Sequence, residues 1–131
     1  MAWRSPSSPP SQEGAPCERI PGRSRVREIE PEELQALLEA RPNAVLLVDV
    51  RQPDEHAYCR IPGSRLIPWP EIPWRASELD PRAEIIVYCY RGIRSRIAAA
   101  WLVTLGFERV RSLRGGIRAW IARVNPSLPC Y

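Results

Sequence analysis

The sequence predicts an α/β fold: a doubly wound, mostly parallel central sheet flanked by helices. Three observations carry that expectation. Val45–Val50 and Glu84–Tyr88 are near-continuous apolar runs, as strands buried on both faces of a parallel sheet require. Segments with helical spacing separate the strand patterns, so strands and helices alternate from end to end. Both long runs also stop on chemistry-bearing residues, Asp49 in the first and Cys89 just after the second. Functional groups of open α/β sheets gather at those carboxyl ends.

Each element has its own signal. Residues 1–24 are rich in Pro, Ser and Arg, bury little apolar surface and are expected to be a disordered tail. A single domain is expected over 25–124, with 125–131 as a C-terminal tail. Val26–Ile29 suits a short edge strand. Pro31 fits the first turn of a helix, and Glu30, Glu32 and Glu33 complement its N-terminal dipole. Leu34, Leu37 and Leu38 form its core-facing stripe. After the Val45–Val50 strand, Arg51-Gln52-Pro53 turns the chain into a short helix, Asp54–Tyr58. Ile61–Ser64 is a turn, and a short strand surrounds Arg65–Ile67. Pro68–Asp80 holds three prolines and is expected to be irregular, with a helix over Trp74–Leu79. A helix over Ser95–Leu105 follows the second long strand and stops at Gly106. Val110–Leu113 is the last strand. Gly115-Gly116 opens the last helix, Ile117–Val124, which Asn125-Pro126 ends.

Composition narrows the class. The chain has 131 residues, enough for one domain with a substantial core. Its longest apolar runs fall far short of the roughly 20 residues of a membrane helix. The N-terminus lacks the apolar region of a secretory signal, so a cytoplasmic location is expected, with organelle import left open. The formal net charge is +4, and every basic residue is arginine. No aromatic-basic stripe or recognition helix accompanies these arginines, so neither nucleic acid nor membrane is an expected partner. Cys17, Cys59, Cys89 and Cys130 form no C-x-x-C pair, and His56 is the only histidine. That argues against a metal site and for reduced cysteines.

The chemistry centres on Cys89-Tyr90-Arg91-Gly92-Ile93-Arg94-Ser95-Arg96. A cysteine between a buried strand and a helix start lies where backbone N–H groups and the helix dipole favour thiolate over thiol, and nearby arginines act in the same direction. Gly92 permits the left-handed backbone that such a tight loop needs.

With those residues in place, the chain resembles the rhodanese-like sulfurtransferase family in its single-domain form, over about residues 26–124. The likeness rests on four stretches in order: Leu47-Val48-Asp49-Val50-Arg51 with Pro53 and Glu55; Ile61-Pro62-Gly63-Ser64; Tyr88 to Ser95; and Leu105-Gly106-Phe107 followed by Val110, Leu113, Gly115-Gly116 and Ala119-Trp120. The resemblance implies that Cys89 takes a sulfane sulfur from thiosulfate or a protein persulfide. It would hold that sulfur as a persulfide and pass it to a thiol, cyanide or a sulfur-carrier protein. Backbone N–H groups of Tyr90, Arg91, Gly92, Ile93, Arg94 and Ser95 would hold the persulfide anion, and Arg94 with Arg91 the anionic donor. No metal or organic cofactor is implied.

Two other readings stand beside this one. Phosphatases and arsenate reductase-like enzymes of related fold use a cysteine loop with Cys-x5-Arg spacing. Here Arg94 gives Cys-x4-Arg, a shorter ring that suits a sulfur atom better than a phosphate tetrahedron. A binding or regulatory module that keeps the fold without turnover is the other class. Asp49 and Arg51 read as a pair supporting the loops, and Arg96 as a solvated helix residue. The family often has Gly-His before Ile-Pro-Gly, where this chain has Cys59-Arg60. Cys59 is therefore either an ordinary turn residue, the favoured reading, or a thiol that relays sulfur from Cys89.

Overall fold

A computed structural model describes residues 26–128. The segment expected to be a tail, 1–24, lies outside the described residues, as do Cys17 and Cys130. Five strands form one sheet in the order β1-β5-β4-β2-β3, every neighbouring pair parallel. They are β1 (Arg27–Ile29), β2 (Val45–Asp49), β3 (Arg65–Leu66), β4 (Glu84–Tyr88) and β5 (Val110–Leu113). The two longest apolar runs lie side by side, with Asp49 in register with Tyr88. β1 is an edge strand, as its length and composition predict.

Among the described residues five α-helices cover the sheet: α1 (Pro31–Ala40), α2 (Pro53–Tyr58), α3 (Ile72–Arg75), α4 (Ile93–Thr104) and α5 (Gly116–Arg123). Strand alternation sorts the core into two layers. On one face Val48, Ile85, Val87, Cys89 and Val110 pack with Ile72 of α3 and with Ala98, Ala99 and Leu102 of α4. On the other, Leu47, Ile86, Tyr88 and Leu113 pack with Leu34 of α1 and with Ile117 and Trp120 of α5. Ala98, Ala99 and Ala100 are all within 1% of full burial, so α4 lies close against the sheet.

The helix ends follow local chemistry. Pro31 and Pro53 open α1 and α2, and the Glu33 and Glu55 carboxylates accept the otherwise unpaired N–H groups of Glu30 and Gln52. α4 closes as the sequence predicts: Gly106 takes φ +102°, its N–H donates to the Val103 carbonyl and that of Phe107 to the Leu102 carbonyl. The segment after β3 departs from expectation. Helical turns begin at Trp69, not Trp74, as a 3-10 turn (Trp69–Glu71), α3 and a second 3-10 turn (Ala76–Glu78). Its prolines occupy first-turn positions, where no N–H is needed, so they start new turns instead of preventing helix. The C-terminal segment folds back from α5, with Leu128 packed on the second core layer.

Candidate active site

β4 and α4 are joined by the four residues Cys89–Gly92, and this short connection bends the backbone around the cysteine sulfur. The Gly92 N–H donates to Cys89 Sγ at 3.0 Å and the Ser95 N–H at 3.4 Å. Ser95 Oγ lies 3.5 Å from the same sulfur. Gly92 is the N-cap of α4 at φ +96°, a conformation that side chains disfavour. Its missing Cβ would also stand 3.2 Å from the Gly115 nitrogen. The sulfur therefore sits at a helix N-terminus with hydrogen-bond donors aimed at it, an arrangement that stabilises negative charge on sulfur. Cys89 is 4% exposed, so these donors work in surroundings poor in water.

The loop is also held from behind. Ile117 N–H donates to the Cys89 carbonyl at 2.8 Å, and Arg118 N–H to the Tyr90 carbonyl at 3.1 Å. The first turn of α5 thus uses its unpaired N–H groups to grip the backbone that carries the nucleophile. The grip needs Gly116. A Cβ there would stand 2.4 Å from the Cys89 oxygen and 2.3 Å from the Tyr90 oxygen, and φ is +64°.

Charge is distributed unevenly around this loop. From Ile85 to Tyr131 there are eight arginines and one acid, Glu108. Arg41, Arg65, Arg75, Arg111, Arg114 and Arg123 each face a glutamate within 3.4 Å. Arg94 and Arg96 are exposed and make no salt bridge among the described residues. Arg91 lies over the Tyr90 ring at 5.7 Å, a cation–π contact. The loop therefore presents positive charge to an incoming anion.

A second polar cluster sits at the end of the neighbouring strand. The fully buried Asp49 carboxylate accepts two hydrogen bonds from Arg51 Nε at 2.9 and 3.2 Å and one from Nη2 at 2.8 Å. It also accepts the Arg51 backbone N–H at 3.0 Å and lies 2.9 Å from His56 Nδ1. Arg51 Nη2 reaches on to the Cys59 carbonyl. Beside it the Tyr88 hydroxyl accepts the Ile61 N–H at 3.1 Å and pairs with Ser64 Oγ at 2.8 Å. Burial, with the Asp49 carboxylate adding to it, pushes the Tyr88 phenol up to about 12.

The structure thus separates the candidates. Cys89, Gly92 and Ser95 come together around one sulfur, while Tyr90 and Arg91 stack on each other and Ile93 and Arg94 face outward. Asp49 and Arg51 form the expected buried pair. His56, the only histidine, binds Asp49 and not Cys89. Cys59 is extended at φ −162°, so the glycine common at this place in the family is not needed for backbone reasons. It is disulfide-bonded, which departs from the expectation of reduced cysteines and leaves no thiol there to relay sulfur in this state. Cys89 is free. The sequence signals no role for Ser112, for the Tyr88 hydroxyl or for the grip at Gly116, where the glycine pair is the one local hint.

Residues 30–123 match the family model for the rhodanese-like domain. The chain is 44% identical over 95 residues to a sulfurtransferase of Allochromatium vinosum, an alignment that covers 72% of this chain and 88% of that protein. It is 40% identical over 99 residues to the thiosulfate sulfurtransferase GlpE of Pseudomonas fluorescens, with 74% and 86% covered. Among solved structures, the human single-domain sulfurtransferase TSTD1 superposes with a TM-score of 0.67 at 25% identity, over 75% of this chain and 97% of that one. The chain belongs to the rhodanese-like domain family and is a sulfurtransferase of the rhodanese type.

Proposed function

We propose that the chain moves sulfane sulfur through a persulfide on Cys89. The Cys89 thiolate attacks the outer sulfur of thiosulfate. A new S–S bond forms, the old one breaks, and sulfite leaves with the electron pair. An acceptor nucleophile (cyanide, or a thiolate of a small molecule or protein) then attacks the outer sulfur and returns Cys89 as thiolate. A persulfide-bearing protein donates by the same exchange, its own thiolate leaving. Each half-reaction is a two-electron displacement at sulfur, balanced without metal or redox cofactor.

The observation that carries this reading is the pair of N–H donors on Cys89 Sγ, from Gly92 and Ser95, within a Cys-x4-Arg loop. They favour the attacking thiolate and the thiolate that leaves in the second step. The remaining loop N–H groups are assigned to the outer persulfide sulfur, and Arg94 to the donor's anionic end. Thiosulfate is chosen as first donor because relatives at about this similarity bear its name.

The test is thiocyanate formation from thiosulfate and cyanide. The wild-type protein is expected to turn over, and Arg94→Ala to lose about tenfold in kcat/KM through the donor, the size of one charge-assisted hydrogen bond. A folded protein that takes no sulfur from thiosulfate or from protein persulfides contradicts the proposal.

A further inference from the structure

Behind Ser95 lies a second hydroxyl that the chemistry above does not use. Ser112 is fully buried in β5, and its Oγ is 2.7 Å from Ser95 Oγ. β5 pairs with β4 so that Ser112 stands opposite Val87. Val87 and Cys89 share a sheet face, so the register brings the Ser112 hydroxyl to the layer that holds the sulfur. The result is a chain of three groups: Cys89 Sγ, Ser95 Oγ at 3.5 Å, and Ser112 Oγ.

We propose that Ser112 is a positioning residue for the sulfur chemistry, acting through Ser95. A hydroxyl has one hydrogen to donate and lone pairs to accept with. When Cys89 is a thiol, its S–H donates to Ser95 Oγ and the Ser95 hydroxyl donates to Ser112 Oγ. When Cys89 is an anion, the Ser95 hydroxyl turns to donate to sulfur, and the Ser112 hydroxyl donates to the Ser95 oxygen in its place. No proton leaves any oxygen; two hydroxyl rotations keep Ser95 satisfied in both charge states. In the anionic state, the hydrogen bond arriving at Ser95 polarises the one leaving it, so the second bond strengthens the first. A buried serine beside a charge that comes and goes needs such a partner, because an unmet buried hydroxyl is costly.

The inference rests on Cys89 as the reacting thiol but not on which sulfur donor it meets. Its test therefore reads the thiolate directly. The rate of Cys89 alkylation by iodoacetamide is followed against pH in the full chain, for wild type, Ser112→Ala, Ser95→Ala and the double variant. A Cys89→Ser control subtracts labelling elsewhere. Ser112→Ala should move the midpoint of the profile upward by about half a unit, which is about a threefold loss of thiolate below the midpoint. In the Ser95→Ala background the same change should leave the midpoint where it is, because the connection to sulfur is already cut. Thermal unfolding confirms that each variant is folded. A Ser112→Ala profile identical to wild type, or an equal shift with and without Ser95, overturns the proposal. If sulfur transfer from thiosulfate and from protein persulfides fails while the midpoints behave as described, the function proposed above falls and the role of Ser112 stands.

Discussion

β2 and β4 lie side by side and end at the same edge, yet their ends are built in opposite ways. At the end of β2, a buried carboxylate is met on nearly every side: Asp49 is matched by Arg51 and His56, and Arg51 is carried on to the Cys59 carbonyl. Charge is answered by charge within a few ångströms. At the end of β4, the groups among the described residues that meet the Cys89 sulfur carry no formal charge: two backbone N–H groups and a serine hydroxyl. The exposed arginines of that loop point their charge outward. The closed cluster fixes structure because its charges have nothing left to bind. The open one can hold a charge that appears and disappears, since hydrogen bonds from neutral donors stabilise an anion without requiring it.

The contrast can be broken from either side. The largest effect is expected at the closed cluster. Asp49→Ala leaves the Arg51 guanidinium buried without its counter-charge and should destabilise the fold by about 3–5 kcal/mol. Denaturant titration measures it, and a loss below about 1 kcal/mol would show that Arg51 finds water instead. Next comes the grip on the loop. Gly116→Ala drives a methyl group into the Cys89 and Tyr90 carbonyls, so the loop must move. A displacement of about 1 Å in a reacting group can cost about 10²-fold, and a loss of that order in kcat is expected for sulfur transfer. Circular dichroism should show the fold retained.

Tyr88 tests the border between the two clusters. Its phenol is raised from about 10 in an unfolded chain to about 12 in the fold. The native state therefore holds that proton more tightly. The resulting stability is fully present below pH ~10 and is lost as pH rises toward about 12. Tyr88→Phe should remove this part of the alkaline decline. At neutral pH it should cost about 1–3 kcal/mol, because the Ile61 N–H loses its acceptor. Urea titrations of both proteins at neutral and alkaline pH separate the two effects.

How much of this was legible in the sequence depended on distance along the chain. The two long strands were plain because their apolar runs are contiguous, and the loop was plain because Cys89, Gly92 and Ser95 lie within seven residues. The Asp49–Arg51 pair was foreseen for the same reason. Ser112 and Gly116 were not, since what they do depends on how β5 and α5 meet β4, and no local pattern carries that register. The helical turns after β3 begin before Trp74 because their prolines stand at first-turn positions, where the missing N–H costs nothing. At the first turn of a helix proline is a start.

The central claim is that sulfur is carried on Cys89 and nowhere else. Intact-mass analysis after incubation with thiosulfate and removal of excess donor tests it most directly. Wild-type protein is expected to gain one sulfur atom, which cyanide removes as thiocyanate, and Cys89→Ser should gain none. A wild type left unmodified by thiosulfate and by a protein persulfide, or sulfur retained by the folded Cys89→Ser protein, would contradict it.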